Sequence, residues 1–190
     1  MKSLCKIAIG VLLLMVAACQ DSAIKTVRDG KALQMGMFAD GKLSGLGLLA
    51  DETNQIESLG SWKAGVIDGL GLRVNKIYTD IGEFTNGSMN GKGIKKSLTG
   101  DVYLGNFVAD NYQGQGALYY ANGRTYTGTF KNNLPDGRGI MQYPNGNLYI
   151  GQFKNGSAEG DGMLLMPDGK RIVGKFAHDE PSMTAKHYGR

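Results

Sequence analysis

The sequence predicts an all-β protein built from successive antiparallel hairpins, and three recurring features predict it. A glycine stands two residues before an aromatic side chain seven times, at intervals of 22 to 24 residues. A Gly-x-Gly motif begins nine residues after each of the first six of these glycines. A turn-forming residue stands three positions past each of the first six aromatics. A fixed period of this length is the sequence signature of a repeat architecture.

The aromatic position of the repeat takes every phenylalanine and the single tryptophan of the chain. Its members are Phe38, Trp62, Phe84, Phe107, Phe130, Phe153 and Phe176. The stretch Tyr126-Thr127-Gly128-Thr129-Phe130 alternates ring or glycine with polar residues, which is the period of a strand with one covered face. We therefore expect the seven rings to be structural residues that pack on the glycines of the sheet.

Two turns are expected in each repeat. The residues three positions past the aromatics are of types that tolerate a left-handed backbone, which predicts a tight turn at each. These residues are Gly41, Gly65, Gly87, Asp110, Asn133 and Gly156. At the other end of the repeat, the dipeptides Asn122-Gly123, Asn145-Gly146 and Asp168-Gly169 predict type I′ turns.

Residues 1–18 have the features of a secretory leader. Lys2 and Lys6 precede an apolar run from Ile7 to Val16, and that run is too short to cross a bilayer core of about 30 Å. Small residues then lead to Cys19. A short anchor helix, or an ordinary signal peptide cleaved at another site, is the alternative interpretation.

The tetrapeptide ending at Cys19 resembles the lipobox of bacterial lipoproteins. The resemblance implies cleavage before Cys19, lipidation of its thiol and acylation of the new amino terminus. Attachment by several acyl chains gives stable membrane anchoring. With Gln20 next to the cysteine, the same resemblance implies the outer membrane of a Gram-negative cell, on its periplasmic side.

The repeat itself resembles the MORN repeat. The elements Tyr126-x-Gly128-x-Phe130, a turn at Asn133 and a following Gly-x-Gly carry the resemblance, and the copies that begin at Tyr103 and Tyr149 match equally well. Six copies and a final half-copy extend over residues 34–176. They leave residues 19–33 as a lipidated amino terminus and tether, and residues 177–190 as a carboxyl-terminal tail. The resemblance implies an elongated, twisted, single-layer antiparallel sheet.

The earlier copies depart from this pattern at the leading tyrosine. Gln34, Ser58 and Asp80 stand where the later copies have tyrosine. The amino-terminal part of the array is therefore the part that the resemblance describes least well.

Two glycine motifs mimic nucleotide-binding loops. Residues Gly36 to Lys42 have the start of a Walker spacing, and Gly45-x-Gly47 fits the loose dinucleotide fingerprint. The repeat produces both spacings, and neither precedes the helix that a phosphate site requires. We therefore expect no cofactor.

Polar clusters give no catalytic or metal site. His178-Asp179-Glu180 could be drawn as a metal cluster, but a solvated tail is the favoured interpretation because zinc needs three or four convergent ligands. No serine or carboxylate in the repeats has an evident histidine partner. Lys92 and Lys96 share one strand face, where solvent exposure is favoured over an anionic contact.

Tyrosine is the residue with two plausible roles. Tyr103, Tyr126 and Tyr149 lie on the strand face of the aromatic slot, and the returning strands add Tyr120 and Tyr143. Because tyrosine is amphipathic and enriched at interfaces, these five form the candidate partner-binding face. Packing within the sheet is the alternative.

Composition and the resemblance together limit the classes of function that we expect. Removal of Lys2 and Lys6 leaves 19 basic residues against 17 acidic ones, a balance that does not indicate nucleic-acid binding. The resemblance implies an interaction or assembly module, so we expect a non-catalytic, lipid-anchored scaffold of the bacterial envelope with an unidentified protein partner or a second copy of itself. A lipid- or glycan-binding surface is the alternative. An enzyme is least favoured, because the segments flanking the repeats are too short for a catalytic domain.

Overall fold

The computed structural model describes residues 24–189 as two compact units, one ending at Ser88 and the other beginning at Met89. The predicted leader, Cys19 and Gln20 lie outside the described residues. Within each unit, neighbouring strands pair antiparallel, which confirms the all-β class of successive hairpins. Residues 24–189 contain no helix, and hence no helix able to cross a membrane.

The strands of the first unit follow one another through its sheet in chain order. They are β1 (Lys25–Asp29), β2 (Ala32–Ala39), β3 (Lys42–Asp51), β4 (Ile56–Lys63), β5 (Val66–Val74) and β6 (Tyr78–Thr85). β1 lies within the range predicted as a tether, so this sheet begins before the first recognisable repeat. Gly30, with a left-handed φ of 57°, closes the hairpin between β1 and β2.

The strands of the second unit are also neighbours in chain order. They are β7 (Ser88–Ser97), which belongs to this unit from Met89 on, β8 (Val102–Val108), β9 (Asn111–Tyr119), β10 (Thr125–Lys131), β11 (Leu134–Gln142), β12 (Leu148–Lys154), β13 (Ser157–Leu165), β14 (Arg171–Ala177), β15 (Glu180–Pro181) and β16 (Lys186–Tyr188). Both β15 and β16 pair with β14 along different parts of its length.

The carboxyl-terminal segment pairs with the sheet, although His178, Asp179 and Glu180 are solvent-exposed as predicted. His178 and Asp179 have φ of 51° and 69° and form a seventh tight turn. Oδ1 of Asp179 accepts a hydrogen bond of 2.7 Å from the N–H of Ala158. β15 and β16 therefore cover the outer edge of β14.

The tight turns lie where the sequence predicted them. The six predicted positions all have left-handed φ, from 65° at Asp110 to 92° at Gly156. The residue before each is left-handed too, as at Asn132 (φ 49°), so these are the type I′ turns.

The prediction of type I′ geometry at Asn122-Gly123 and its equivalents is wrong. Only the glycine is left-handed there, with φ of 84° at Gly123. The N–H of Gly123 donates to the carbonyl of Tyr120 at 2.9 Å, and the N–H of Tyr120 donates to the carbonyl of Arg124 at 2.9 Å. Ala121 thus adds a residue to the loop, which becomes a three-residue hairpin closed by a left-handed glycine.

A series of backbone hydrogen bonds, here called the turn ladder, joins each tight turn to the preceding repeat. In the second unit the second turn residue donates its N–H to a carbonyl 21 residues earlier, at 2.8 to 3.1 Å. The donor–acceptor pairs are Asp110–Met89, Asn133–Tyr112, Gly156–Pro135 and Asp179–Ala158. Where the turn residue is Asp or Asn, its side chain also accepts from the same residue, as between Asn133 Oδ1 and the N–H of Tyr112 at 2.8 Å.

The core of each unit lies on one face of its sheet, called the core face, which carries the slot aromatics. Trp62, Phe84, Phe107, Phe130, Phe153 and Phe176 are buried there, and Phe38 is half-buried. In the second unit, rings alternate edge-to-face, with the Tyr126 centroid 5.0 Å from Phe130 and 4.8 Å from Phe153. The opposite side is called the outer face.

Candidate binding surfaces of the second unit

The tyrosines that lead the repeats are buried, which corrects their assignment to a partner-binding face. Tyr103, Tyr126 and Tyr149 are at most 1% exposed. Each hydroxyl donates to a carbonyl three residues further on, as between Tyr126 and Thr129 at 3.0 Å. Burial raises the pKa of each of these tyrosines to about 12. These side chains are core residues and are not available to a partner.

Paired glycines explain why the three rings fit. Gly128 of β10 lies opposite Gly139 of β11, and the ring of Tyr126 lies over both. A Cβ atom on Gly128 would come within 2.6 Å of the Tyr126 hydroxyl, and one on Gly139 within 2.5 Å of the ring. The alternation of residues predicted the correct face, but not that this face would be covered.

The other two tyrosines stay partly accessible and flank an arginine. The bond between Tyr120 and Arg124 places them opposite each other, and the pairing of Thr125 with Gln142 places Tyr143 opposite Arg124 on the next strand. All three side chains lie on the core face and are half-buried. We call Tyr120, Arg124 and Tyr143 the tyrosine–arginine row.

Electrostatics link the members of this row. The guanidinium carbon of Arg124 lies 4.7 Å from the centre of the Tyr120 ring, within the range of a cation–π contact. Burial raises the pKa of Tyr120, and the charge of Arg124 opposes that shift. Burial likewise raises the pKa of Tyr143, Asp179 raises it further, and Arg124 again acts in the opposite direction.

The outer face carries a surface that the sequence reasoning missed. One cross-strand row runs over eight neighbouring strands, β7 to β14, and is apolar except for one threonine. This outer apolar row consists of Ile94, Leu104, Ala117, Thr127, Ile140, Ile150, Met163 and Val173. Five of its large side chains are 37% to 43% exposed. The sequence signal was the residue after the leading Tyr and the residue after Gly-x-Gly.

Cations flank this row. Lys92 and Lys96 lie on either side of Ile94 on the same face, which confirms the predicted alternation. Arg138 and Arg171 lie in the corresponding flanking rows, and Arg171 stacks on Tyr188 at 5.1 Å. Residues 89–190 contain 12 Lys and Arg against 8 Asp and Glu, whereas residues 19–88 contain 7 against 9. The positive charge is thus concentrated in the second unit.

Carboxylates share this face. Asp136 and Glu159 line a shallow groove of about 410 Å³ together with Lys131, Arg138 and Lys154. Each carboxylate accepts a hydrogen bond from the N–H of a neighbouring turn, at 3.4 and 3.2 Å respectively. Within residues 24–189, no three His, Cys, Asp or Glu side chains are grouped so as to hold a metal ion.

Comparison with known proteins gives one family and no curated relative. The family model of the MORN repeat matches residues 59–74, 81–102, 103–123, 126–148 and 149–171, together more than half of the chain. No curated protein matches the chain. A solved structure that it resembles is the TCP domain of SAS-4 (dCPAP) from Drosophila melanogaster in complex with a proline-rich motif of Ana2 (dSTIL). That domain is 12% identical with a TM-score of 0.45, and the alignment covers 83% of this chain and 96% of that one.

Proposed function

Because this chain belongs to the MORN repeat family, we propose that it is a non-catalytic protein-binding or scaffolding module of the bacterial envelope. Repeats of this family indicate a protein- or membrane-binding module. The observation that carries the choice of a protein partner is the outer apolar row, in which five large side chains remain 37% to 43% exposed. Contiguous exposed apolar surface rimmed by polar residues is typical of interaction sites.

Mixed charge on this face favours a protein over a membrane. Asp136, Glu159 and Asp161 lie beside the cations, and anionic head groups would be repelled by them. A protein partner can place groups of either sign opposite them. Lys92 and Lys96 beside Ile94 are the feature that supports the alternative, a lipid- or glycan-binding surface.

The proposed address rests on the lipobox-like residues before Cys19. Lipidation there would anchor the amino terminus, and Gln20 supports the periplasmic side of an outer membrane. Substitution Cys19→Ser should leave the leader uncleaved and the protein without acyl chains. Retention of the variant in the membrane, with normal cleavage, would contradict the anchor.

The binding surface can be tested by site-specific photocrosslinking in cells. Benzoylphenylalanine at Thr127, an exposed member of the outer apolar row, should crosslink one dominant protein. The same probe at Leu98, which is 81% exposed but outside the row, is the matched control. Substitutions Ile140→Asn and Ile150→Asn together should abolish the Thr127 crosslink without unfolding the chain. Equal crosslinking from both probe positions, or crosslinks to lipid alone, would contradict a protein partner for this row.

A further inference from the structure

The tyrosine–arginine row contains a cation that the described part of the chain does not neutralise. Nε of Arg124 is buried and has no hydrogen-bond partner within residues 24–189. Tyr120 faces the guanidinium on one side at 4.7 Å, and Tyr143 lies on the neighbouring strand at the other side. Because Nε has almost no accessible surface, a ligand would meet the terminal Nη groups of this half-buried side chain.

Two carboxylates raise the pKa of the tyrosines of this row, Asp101 that of Tyr120 and Asp179 that of Tyr143, and each already accepts a backbone hydrogen bond. Asp101 lies opposite Tyr120 on the far side from Arg124, since Val102 pairs with Tyr119. Its Oδ1 accepts a 2.7 Å hydrogen bond from the N–H of Ala121. Asp101 thus stabilises its own neighbouring loop and lies about two strand spacings, on the order of 10 Å, from the strand of Arg124.

The two later repeats show that the position does not require an unpaired cation. Asn147 occupies the equivalent place one repeat on and carries no charge. Lys170 occupies it in the next repeat and pairs with Asp168 at 2.8 Å. Arg124 is therefore the member of this series in which a half-buried charge is retained between two tyrosine rings.

We propose that the tyrosine–arginine row binds a carboxylate of a partner peptide, from an Asp or Glu side chain or a free chain end. The two terminal Nη groups of a guanidinium match a carboxylate with two parallel hydrogen bonds, and the ring of Tyr120 packs against the guanidinium plane. The hydroxyls of Tyr120 and Tyr143 are further donors for the same group. This inference rests on the proposed protein-binding function but uses the core face, opposite the outer apolar row.

A peptide carboxylate suits the recess better than a phosphate group of a membrane. All three residues are half-buried, so the ligand has to reach between the strands to meet Arg124. A side chain of an extended peptide can do this, whereas a lipid head group would have to leave the plane of the bilayer.

Selection from a random dodecapeptide phage library against the full-length protein in neutral detergent tests the inference. Peptides selected on the wild type should be enriched in Asp or Glu at one position relative to their apolar residues. The variant Arg124→Gln should lose that enrichment. Lys170→Gln is the matched control, because it removes a cation from the equivalent position that is already paired and exposed. It should select the same acidic peptides as the wild type.

The affinity of one selected peptide then measures the contact directly. Replacing its Glu by Gln should weaken binding to the wild type about tenfold or more, as expected for a hydrogen-bonded charge pair. The same replacement should leave binding to Arg124→Gln unchanged. Arg124→Lys, which keeps the charge but not the planar fork, should bind with intermediate affinity, and Tyr143→Phe should weaken binding less than Arg124→Gln does.

The proposal would be overturned by a lack of acidic enrichment on the wild type, by acidic enrichment that survives Arg124→Gln, or by displacement of the peptide by inorganic phosphate at lower concentration than by acetate. The last would assign the row to phosphate groups. Ile140→Asn with Ile150→Asn separates this site from the outer apolar row: it should leave the acidic peptides bound, and their loss in that variant alone would also overturn the site.

Discussion

The two units solve the same packing problem with different side chains. In the second unit, tyrosine rings cover the paired glycines, as Tyr126 covers Gly128 and Gly139. In the first unit, the covering group comes from the returning strand instead. A methyl carbon of Leu43 lies over Gly36 and Gly47, and its carbon would be 2.8 Å from a Cβ on Gly47. Ile67 lies over Gly71 in the same way.

Two positions on the core face share the filling of the space over the glycines: the leading residue of the repeat and the residue opposite the slot aromatic. In the copy that begins at Tyr149 the residue opposite the slot aromatic is small, with Ala158 opposite Phe153. In the copy that begins at Tyr103 it is Tyr112, whose ring stacks on Tyr103 with centroids 3.8 Å apart. Where the leading residue is Ser58, the residue opposite Trp62 is Ile67. The repeat thus keeps the space over its glycines filled, either by a tyrosine ring or by a side chain of the returning strand.

The two units also differ in a buried charged pair that the first unit has at a leading position. Asp80 holds a leading position in the first unit and is fully buried, with Arg73 directly opposite. Nη2 of Arg73 lies 2.6 Å from Oδ2 of Asp80, and Nη1 donates to the carbonyl of Gly87 at 2.7 Å. An ionic pair thus occupies the row that a tyrosine ring fills in the other unit.

The largest effect is expected from removing one tyrosine ring. Tyr126→Ala should lower the free energy of unfolding by about 3–5 kcal/mol, because the ring is fully buried and leaves a cavity over the glycines. Ser58→Ala, at the same position of the first unit, should change it by less than about 1 kcal/mol. Urea unfolding of the full chain in neutral detergent measures both. Similar losses for the two variants would show that the leading residue contributes equally to the packing of both units.

Breaking the ionic pair should have the next largest effect. Arg73→Met leaves Asp80 buried without its guanidinium and should lower the free energy of unfolding by about 3 kcal/mol. The double variant Arg73→Met with Asp80→Leu should regain most of that loss, because no charge is left buried. A double variant as unstable as the single one would show that the contact of Arg73 with Gly87 matters more than the pair.

Alkaline pH should affect the second unit through its buried tyrosines. Their pKa is raised to about 12, whereas tyrosines of the unfolded chain ionise near pH 10. The native state therefore holds protons that the unfolded state has lost, so stability is intact below pH 10 and falls between pH 10 and 12. The free energy of unfolding should fall by about 1.4 kcal/mol per pH unit for each buried tyrosine. Tyr149→Phe should remove the contribution of one tyrosine from this slope. Absorbance at 295 nm showing all nine tyrosines ionising near pH 10 would contradict this.

The smallest effects concern the tight turns. In the second unit, the side chain of Asn133 accepts from the N–H of Tyr112, whereas the first unit has glycine at Gly41, Gly65 and Gly87. Asn133→Gly should lower the free energy of unfolding by about 1 kcal/mol. Gly87→Asn should raise it by about 0.5–1 kcal/mol, since its φ of 85° suits asparagine and a Cβ there meets nothing within 4 Å. Thermal unfolding measures both, and opposite signs are expected.

The sequence predicted the hairpins and tight turns because their signals are local. Spacing also contained the seventh turn, since Asp179 stands three residues past Phe176, but the polar composition of this segment led to the prediction of a tail. The burial of Tyr103, Tyr126 and Tyr149 was not predictable from alternation, because alternation assigns residues to a face without showing what packs on that face. The pairing of Arg73 with Asp80 depends on the register between β5 and β6, which local spacing does not give. From the sequence, Asp80 was identified only as a position that lacks the leading tyrosine.

The tyrosine–arginine row was half predicted. Tyr120 and Tyr143 were candidates from residue type, but Arg124 joins them only once the loop at Ala121 sets the register. The outer apolar row was not predicted, because glycines and aromatic residues define the repeat and the residues between them differ from copy to copy.

The turn ladder has a mechanical consequence for a protein pulled at its ends. Each tight turn of the second unit is hydrogen-bonded to the preceding repeat, with bonds of 2.8 to 3.1 Å. Force on the carboxyl terminus would break these hydrogen bonds one repeat after another rather than all at once. Each released repeat of 23 residues would lengthen the chain by about 80 Å, so extension should proceed in equal steps that report the sequence period as a length.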